Sequence, residues 1–133
     1  MTDQKDSKIS IKKGARKRAF YFIFESLVRD IDNINLFYEK RLELHPEDNQ
    51  YCIEVIQYVA DNKQSLLDLI DSKAKNWKTN RMPKADLALL LVAEAEFAID
   101  KIDKTIVKEQ IVDLAKDFGG SDNSYNFILG ILS

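Results

Sequence analysis

The chain has 133 residues, of which 45% are hydrophobic, and its formal net charge at pH 7 is −2; these values indicate one domain with a single core. The longest apolar run, residues 87–93, is too short to span a bilayer, and the polar start carries no secretory signal. The single cysteine cannot form an internal disulfide, and one cysteine with one histidine supplies too few ligands for a metal site. We therefore expect a cytoplasmic protein without metal or cofactor.

Positive charge is concentrated at the start of the chain. The first eighteen residues contain only two acidic residues and seven basic ones: Lys5, Lys8, Lys12, Lys13, Arg16, Lys17 and Arg18. Clustered Lys and Arg favour a polyanion such as nucleic acid, because binding releases counterions from phosphates. A solvated tail that aids solubility is the alternative. We expect residues 1–11 to form a flexible basic arm and residues 12–133 to form one helical domain.

Apolar residues recur at helical spacing through the first half of the chain. One stripe runs from about residue 15, and a second short helix is expected over residues 35–44, before Pro46. Further stripes follow Glu47, one of them containing a buried Cys52. They predict two helices, or one long helix bent near Asn62. The first stripe consists of Ala19, Phe20, Ile23, Phe24, Leu27 and Ile31.

The second half of the chain predicts three more helices. Pro83 lies near the start of a helix whose segment LALLLVA is apolar on all sides, which is typical of a central, enclosed element. Asp103 is expected to cap a helix that ends near Asp117, followed by a left-handed turn at Gly119-Gly120. Ser121 or Ser124 is expected to cap the last helix. No strand pattern competes, so the fold class is all-α, a compact bundle of six or seven helices.

Motifs for catalysis are missing from the sequence. It contains no Gly-rich phosphate loop, His-containing triad or dinucleotide fingerprint, so we expect no enzyme. Glu94 and Glu96 lie two residues apart, on different faces of a helix, and such carboxylates are too common to indicate catalysis. We expect Trp77 in the core rather than on a base-stacking surface. A second basic group is interpreted as ordinary helix-end charge: Lys73, Lys75, Lys78, Arg81 and Lys84.

The stretch Arg16-x-x-Ala19-x-x-x-Ile23-Phe24 is the first of three segments that, in series, resemble the NusB family of transcription antitermination factors. It resembles the opening helix of that family. NWKTNRMPKADLALLLVAEAEF resembles its central helix and the preceding loop, and DLAKDFGGSDNSYNFILGIL resembles its closing signature. Together the segments cover the chain from about residue 12 to its end.

The resemblance implies a bundle of two packed helical subdomains that binds boxA-type single-stranded RNA in nascent ribosomal transcripts. Family members pair with NusE, a small-subunit ribosomal protein, and act on the RNA polymerase elongation complex indirectly. The resemblance also implies that Phe24 and Asp86 face NusE, and that Phe127 lies near the RNA. The implied phosphate contacts are Lys12, Lys13, Arg16, Lys17 and Arg18.

Departures from the family pattern leave alternatives open. Leu87, Leu91 and Ala95 replace two arginines and a tyrosine, and Glu109-Gln110 replaces an Asn-Glu pair, so RNA binding is less certain than the fold. One alternative is a protein-interaction module of the transcription or ribosome-assembly machinery with weak or lost RNA binding. Another is an accessory domain like those of ribosomal RNA methyltransferases, which would need a separate catalytic chain. Exposed apolar groups on the first helix, such as Phe20 or Phe22, would also support a homodimer.

Overall fold

The computed structural model describes the backbone of residues 2–37, 39 and 50–133, and the side chains of residues 14–37, 39 and 50–133. The described residues form helices joined by turns and contain no strand, which confirms the predicted all-α class. The helices are α1 (Thr2–Val28), α2 (residues 34–37 and 39), α3 (Gln50–Lys73), α4 (Lys84–Ile99), α5 (Lys104–Phe118) and α6 (Ser124–Leu132).

The first two helices differ from their predicted bounds. The backbone of α1 is helical from Thr2, well before the residue 15 at which the apolar stripe begins. The flexibility predicted for residues 1–11 and the domain boundary at residue 12 stay predictions. Helix α2 begins at Ile34, where the Asn33 side chain accepts a hydrogen bond from the backbone N–H of Leu36 at 3.0 Å. Residues 38 and 40–49, with the expected turn at Pro46, lie outside the described residues.

Helix α4 is the central element of the bundle. All twelve residues from Ala85 to Glu96 are buried, and the helix contacts α1, α3, α5 and α6. The prediction from its continuous apolar sequence is therefore confirmed. Helices α1, α3 and α4 contact one another, while α5 contacts both α4 and α6. Side chains that α4 carries can thus reach both groups of helices.

Helix α3 is one helix with a kink at Asn62, which confirms the second of the two predicted alternatives, one long helix bent near that residue. Asn62 has non-helical dihedral angles, φ −126° and ψ 22°, inside the helix. Its side-chain amide donates a hydrogen bond to the Tyr58 carbonyl at 3.0 Å. A side chain that bonds to its own helix backbone competes with the regular ladder and bends the helix. Cys52, near the start of α3, is fully buried as predicted.

The turn between α5 and α6 corrects the expected use of its glycines. Asp103 caps α5 as predicted, accepting from the Thr105 N–H at 2.8 Å. At the other end Gly119 is extended, with φ −60°, and no glycine in the described residues has a positive φ. A Cβ atom on Gly119 would lie 2.4 Å from the Ser124 Cβ. Glycine is required here by close packing and not by a left-handed turn.

Within the part of the chain that the structure describes, no helix is both long and apolar enough to cross a membrane.

Candidate nucleic-acid interface

Arg16, predicted as a phosphate contact, lies inside the protein. Its side chain is 2% exposed, and its guanidinium bonds both oxygens of Glu96. The Nε–Oε2 distance is 2.6 Å and the Nη2–Oε1 distance is 2.7 Å. A planar fork paired with both carboxylate oxygens is the strongest geometry for such a pair. The structure corrects the prediction: Arg16 is a core residue that joins α1 to α4. Because its charge is enclosed and neutralised by Glu96, it is not placed to bind a phosphate.

Glu96 also accepts a hydrogen bond from the third member of this cluster, Tyr51 on α3. The Tyr51 hydroxyl lies 2.6 Å from Glu96 Oε1. Burial first, and then the negative charge of Glu96, raise the pKa of Tyr51 well above its ordinary value of 10.0. Three helices are therefore fixed to one another through a single buried carboxylate. Glu94, two residues earlier on α4, is also buried and pairs with Lys73 at 2.7 Å.

Lys17, the next residue along α1, points the other way. It is exposed, and its ammonium lies 5.5 Å from the ring centroid of Phe118 and 5.9 Å from that of Tyr21. Such contacts orient a cation without neutralising it. Arg18 is partly buried. The side chains of Lys12 and Lys13 lie outside the described residues.

A cavity of about 260 Å³ lies beside Lys17 and is lined also by Gln110, Asp113, Leu114 and Asp117. The Oε1 atom of Gln110 is buried and has no hydrogen-bond partner in the described structure. An unpartnered buried acceptor is uncommon in folded proteins. It could accept a hydrogen bond from a ligand that enters beside Lys17. Apart from the departure of Glu109-Gln110 from the family pattern, nothing in the sequence indicated a role for Gln110.

Phe24, predicted to face a protein partner, is partly buried on α1. Its ring is stacked on that of Phe20, with 5.8 Å between the centroids. Phe20 and Phe22 are buried, so the expectation that they are exposed is wrong. A homodimer stays a prediction, without these two side chains as its contacts. Among the described side chains of α1, from residue 14 onward, the large apolar ones that are exposed are Tyr21, at 42%, and Val28.

Asp86, the other predicted partner contact, is buried at the start of α4. One carboxylate oxygen accepts from the Gly120 N–H at 2.9 Å, and the other accepts from the Ser124 hydroxyl at 3.0 Å. Ser124 is the first residue of α6, and Asn123 precedes it without a side-chain capping bond. Asp86 therefore holds the turn that leads into the last helix. The structure corrects its role: a buried side chain with internal partners positions this turn and does not face a partner directly.

Phe127 and Trp77 form an aromatic pair at the surface. Their ring centroids are 5.8 Å apart and their planes are nearly perpendicular, at 87°. Phe127 is partly buried, whereas Trp77 is 44% exposed. The expectation that Trp77 belongs to the core is wrong. Its helical register relative to Leu66 and Ile70 suggested burial, but α3 ends at Lys73 and the chain turns away before reaching Trp77.

The described residues contain no group of three or more His, Cys, Asp or Glu side chains arranged to hold a metal ion.

A protein-family comparison gives a match over most of the chain. The family model for the NusB family matches residues 13–133. A transcription antitermination protein NusB from Salinispora arenicola is 34% identical over 125 residues, an alignment that covers 91% of each chain. The protein of the same name from Chloroflexus aggregans is 36% identical over 124 residues, covering 88% of this chain and 81% of its own.

Solved structures share the fold. NusB of T. maritima superposes with a TM-score of 0.77 at 24% identity, covering 90% of this chain and 86% of its own. A chain from a crystal structure described as a plectonemic RNA supercoil has the same TM-score at 22% identity, covering 92% of this chain and 91% of its own. The solution structure of NusB from Aquifex aeolicus has a TM-score of 0.71.

Proposed function

The chain belongs to the NusB family, and from that premise we propose that it is an RNA-binding transcription antitermination factor. In this proposal it pairs with NusE and binds boxA-type single-stranded RNA in nascent ribosomal transcripts. Its effect on RNA polymerase is indirect, through the bound RNA and NusE. Family membership supports a transcription factor, and the surface of α1 supports the RNA-binding step.

The observation that carries the RNA-binding proposal is the outward position of Lys17. Its charge is exposed and held over two aromatic rings, with no acidic partner within salt-bridge distance among the described residues. A phosphate can approach this ammonium without displacing an existing ion pair. Lys13 lies four residues earlier, one turn along the same helix. We therefore propose Lys12, Lys13, Lys17 and Arg18 as the phosphate-binding set, with Arg16 serving to hold the helix that carries them.

For NusE we propose a docking surface on the part of α1 around Phe24. The exposed side chains of Tyr21 and Val28 lie three residues before it and four residues after it, so all three fall within one turn of its position. Exposed aromatic and aliphatic groups of this kind supply the apolar part of protein interfaces. Asp86 contributes indirectly by fixing the turn into α6.

A charge-reversal pair tests the RNA-binding proposal. Lys17→Glu is compared with Lys104→Glu, because Lys104 is also exposed and also lies over an aromatic ring, 5.7 Å from the centroid of Phe97. Binding of a labelled boxA-type RNA is measured by fluorescence anisotropy at two salt concentrations, with and without NusE. We expect Lys17→Glu to weaken binding roughly 10-fold near 0.1 M salt, as for loss of one charge-assisted contact.

The salt dependence gives a second readout. One lost phosphate contact should reduce the slope of log K against log salt by about 0.7 for a single strand. Lys104→Glu should leave both affinity and slope nearly unchanged. Equal losses in the two variants, or no loss in Lys17→Glu, would remove Lys17 from the interface. No binding by the wild-type protein, with or without NusE, would reject the RNA-binding function.

A protein-interaction module with little RNA affinity is the second candidate. It is favoured by the internal neutralisation of Arg16 beside the exposed apolar groups Tyr21 and Val28. A pull-down of NusE decides between the two when combined with the RNA titration: capture of NusE without any RNA affinity would support the module.

A further inference from the structure

The chain's single tryptophan is partly exposed to solvent, on a turn held by hydrogen bonds. Trp77 lies between the end of α3 and the start of α4, and its indole is 44% exposed. The indole packs against the ring of Phe127, and the two ring planes are nearly perpendicular. A large aromatic side chain usually gains free energy from burial. We therefore ask whether the turn holds the indole in this exposed position or whether a bound ligand covers it.

The turn itself is firmly held. The Lys78 ammonium donates to the carbonyls of Asp71 and Ala74, each at 2.9 Å, and so satisfies the open end of α3. The Asp71 carboxylate accepts from the Thr79 N–H at 2.7 Å and from the Thr79 hydroxyl at 3.1 Å. Ala74 and Thr79 are both buried. Because the residues on either side are anchored, the backbone that carries the indole is held in place, and the Phe127 ring packs against the indole itself.

A groove of about 560 Å³ opens between this turn and α6. Its apolar floor and walls come from Ala74, Trp77, Phe127 and Ile131, and its rim is polar. The rim residues are Lys73, Lys75, Asn76 and Asn126. Gly130 also lines the groove, and a Cβ atom placed there would meet nothing within 4 Å. The groove thus combines an aromatic wall with open space in front of it.

The charge of the rim favours an anionic, base-bearing ligand. None of the described lining residues is acidic. Lys75 is exposed, and Lys73 is held by Glu94, which leaves Lys75 as the cation best placed for a phosphate. The exposed amides of Asn76 and Asn126 can each donate and accept hydrogen bonds, as base edges require. An aromatic wall with nearby cations and amides is the arrangement that binds single-stranded nucleic acid.

We propose that this groove holds one unpaired base of the bound RNA, stacked on Trp77, with its phosphate near Lys75. The inference rests on the proposed RNA-binding function and extends it by a stacking site and two specificity-determining residues, Asn76 and Asn126. Trp77 supplies the flat surface, while the two asparagines select among bases by their edges. Phe127 supports the indole from one side.

Tryptophan fluorescence reports on this site directly, since Trp77 is the only tryptophan. The boxA-type RNA is added to the wild-type protein with excitation selective for indole. Labelled-RNA anisotropy is recorded in the same samples. Two control titrations are made separately. Inorganic polyphosphate supplies phosphates without bases, and NusE is added in the absence of RNA. We expect the RNA to quench the indole emission in parallel with the anisotropy change, and polyphosphate to leave the emission nearly unchanged.

Two kinds of variant change the groove in opposite ways. Trp77→Ala removes the stacking surface and should weaken RNA binding about 5- to 100-fold, whereas Trp77→Phe should recover much of the affinity. Gly130→Leu keeps the indole but fills the space before it, and should weaken binding by a similar factor. Its fold should be retained, because the added side chain meets open space and replaces glycine within a helix. Leu69→Ala, at an exposed leucine of α3 outside the groove, is the matched control.

The outcomes separate this inference from the proposed function. RNA binding that persists unchanged in Trp77→Ala and Gly130→Leu, without quenching in the wild type, overturns the stacking site and leaves the function intact. Quenching by NusE but not by RNA assigns the groove to the protein partner and also overturns it. Equal quenching by polyphosphate shows that the emission responds to phosphate and not to base stacking, and it likewise overturns the stacking site. No RNA binding by the wild type under any condition rejects the function and the inference together.

Discussion

Removing the positive charge of Arg16 should destabilise the whole bundle. Arg16→Met leaves the Glu96 carboxylate buried, where it keeps the hydrogen bond from the Tyr51 hydroxyl but loses both bonds from the guanidinium. Breaking a buried ion pair on one side costs about 3–5 kcal/mol, because an uncompensated charge stays in the core. The full stability of a domain is about 5–15 kcal/mol. The variant should therefore lose a large part of its free energy of unfolding.

Removing both charges should cost less than removing either one. In Arg16→Met/Glu96→Leu no charge stays unpaired, and the apolar replacements fill a site in which both original side chains are fully buried. Exchange of a buried pair for apolar groups is often close to neutral. The Tyr51 hydroxyl then loses its hydrogen bond to Glu96, which costs about 0.5–1.5 kcal/mol. We expect the double variant to be more stable than either single one, with a coupling free energy of about 3 kcal/mol or more.

Urea unfolding followed by circular dichroism measures these differences. Arg29→Met is the control, because Arg29 pairs with Glu25 at 3.2 Å on the exposed surface of the same helix. Such an exposed pair contributes about 0.3–0.5 kcal/mol. If Arg16→Met loses no more stability than Arg29→Met, or if the two charge removals simply add, the Arg16–Glu96 pair is not holding α1 to α4.

Two further predictions concern the pH dependence and the closing turn. Because burial and then the Glu96 charge raise the pKa of Tyr51, the folded protein keeps a proton that the unfolded chain loses above its ordinary value of 10.0. The stability of the wild type should therefore decrease above pH 10.0 by about 1.4 kcal/mol per pH unit more than that of Tyr51→Phe; parallel curves from urea unfolding would contradict this. Gly120→Ala should lose about 1–3 kcal/mol, since its Cβ would lie 2.4 Å from the Pro83 Cβ, while Gly14→Ala, with nothing within 4 Å, should gain about 0.5–1 kcal/mol. Equal thermal midpoints for these two glycine variants would show that the turn relaxes freely.

The helical fold was predictable because its signals are local. The all-apolar sequence before Glu94 requires an enclosed helix, and α4 is that helix. The Asp103 cap and the bend at Asn62 follow from side chains that bond to nearby backbone. Each of these features depends on residues within one or two turns. Sequence periodicity is well suited to such short-range information.

The roles of the charged residues were harder to predict because they depend on pairs far apart in sequence. Arg16 and Glu96 are separated by 80 residues, and Asp86 and Ser124 by 38. A signal for the first pair was nevertheless present. Arg16 lies three residues before Ala19 and four before Phe20, on the apolar stripe of α1, and Glu96 ends the enclosed part of α4. Two opposite charges on inward faces of neighbouring helices must pair, since an unpaired buried charge is too costly.

Trp77 was misplaced for a different reason. Its spacing from Ile70 continues the helical stripe of α3, but Lys78 closes that helix by bonding its last carbonyls. Periodicity gives the phase of a residue only while the helix continues. The sequence contains no equivalent signal for where a lysine side chain, rather than glycine or proline, ends a helix.

The opposite positions of Arg16 and Lys17 explain how one short basic segment can serve both stability and binding. The buried pair of Arg16 with Glu96 sets the rotation of α1, and Lys17, about 100° further around the helix, lies on its exposed side. Lys17 is then fixed over Phe118 at the end of α5, close to the turn that Asp86 holds. A cation fixed in this way loses less conformational entropy when it meets a phosphate than a free lysine does. Changes at Arg16 should therefore lower stability and RNA affinity together, whereas changes at Lys17 should lower RNA affinity alone.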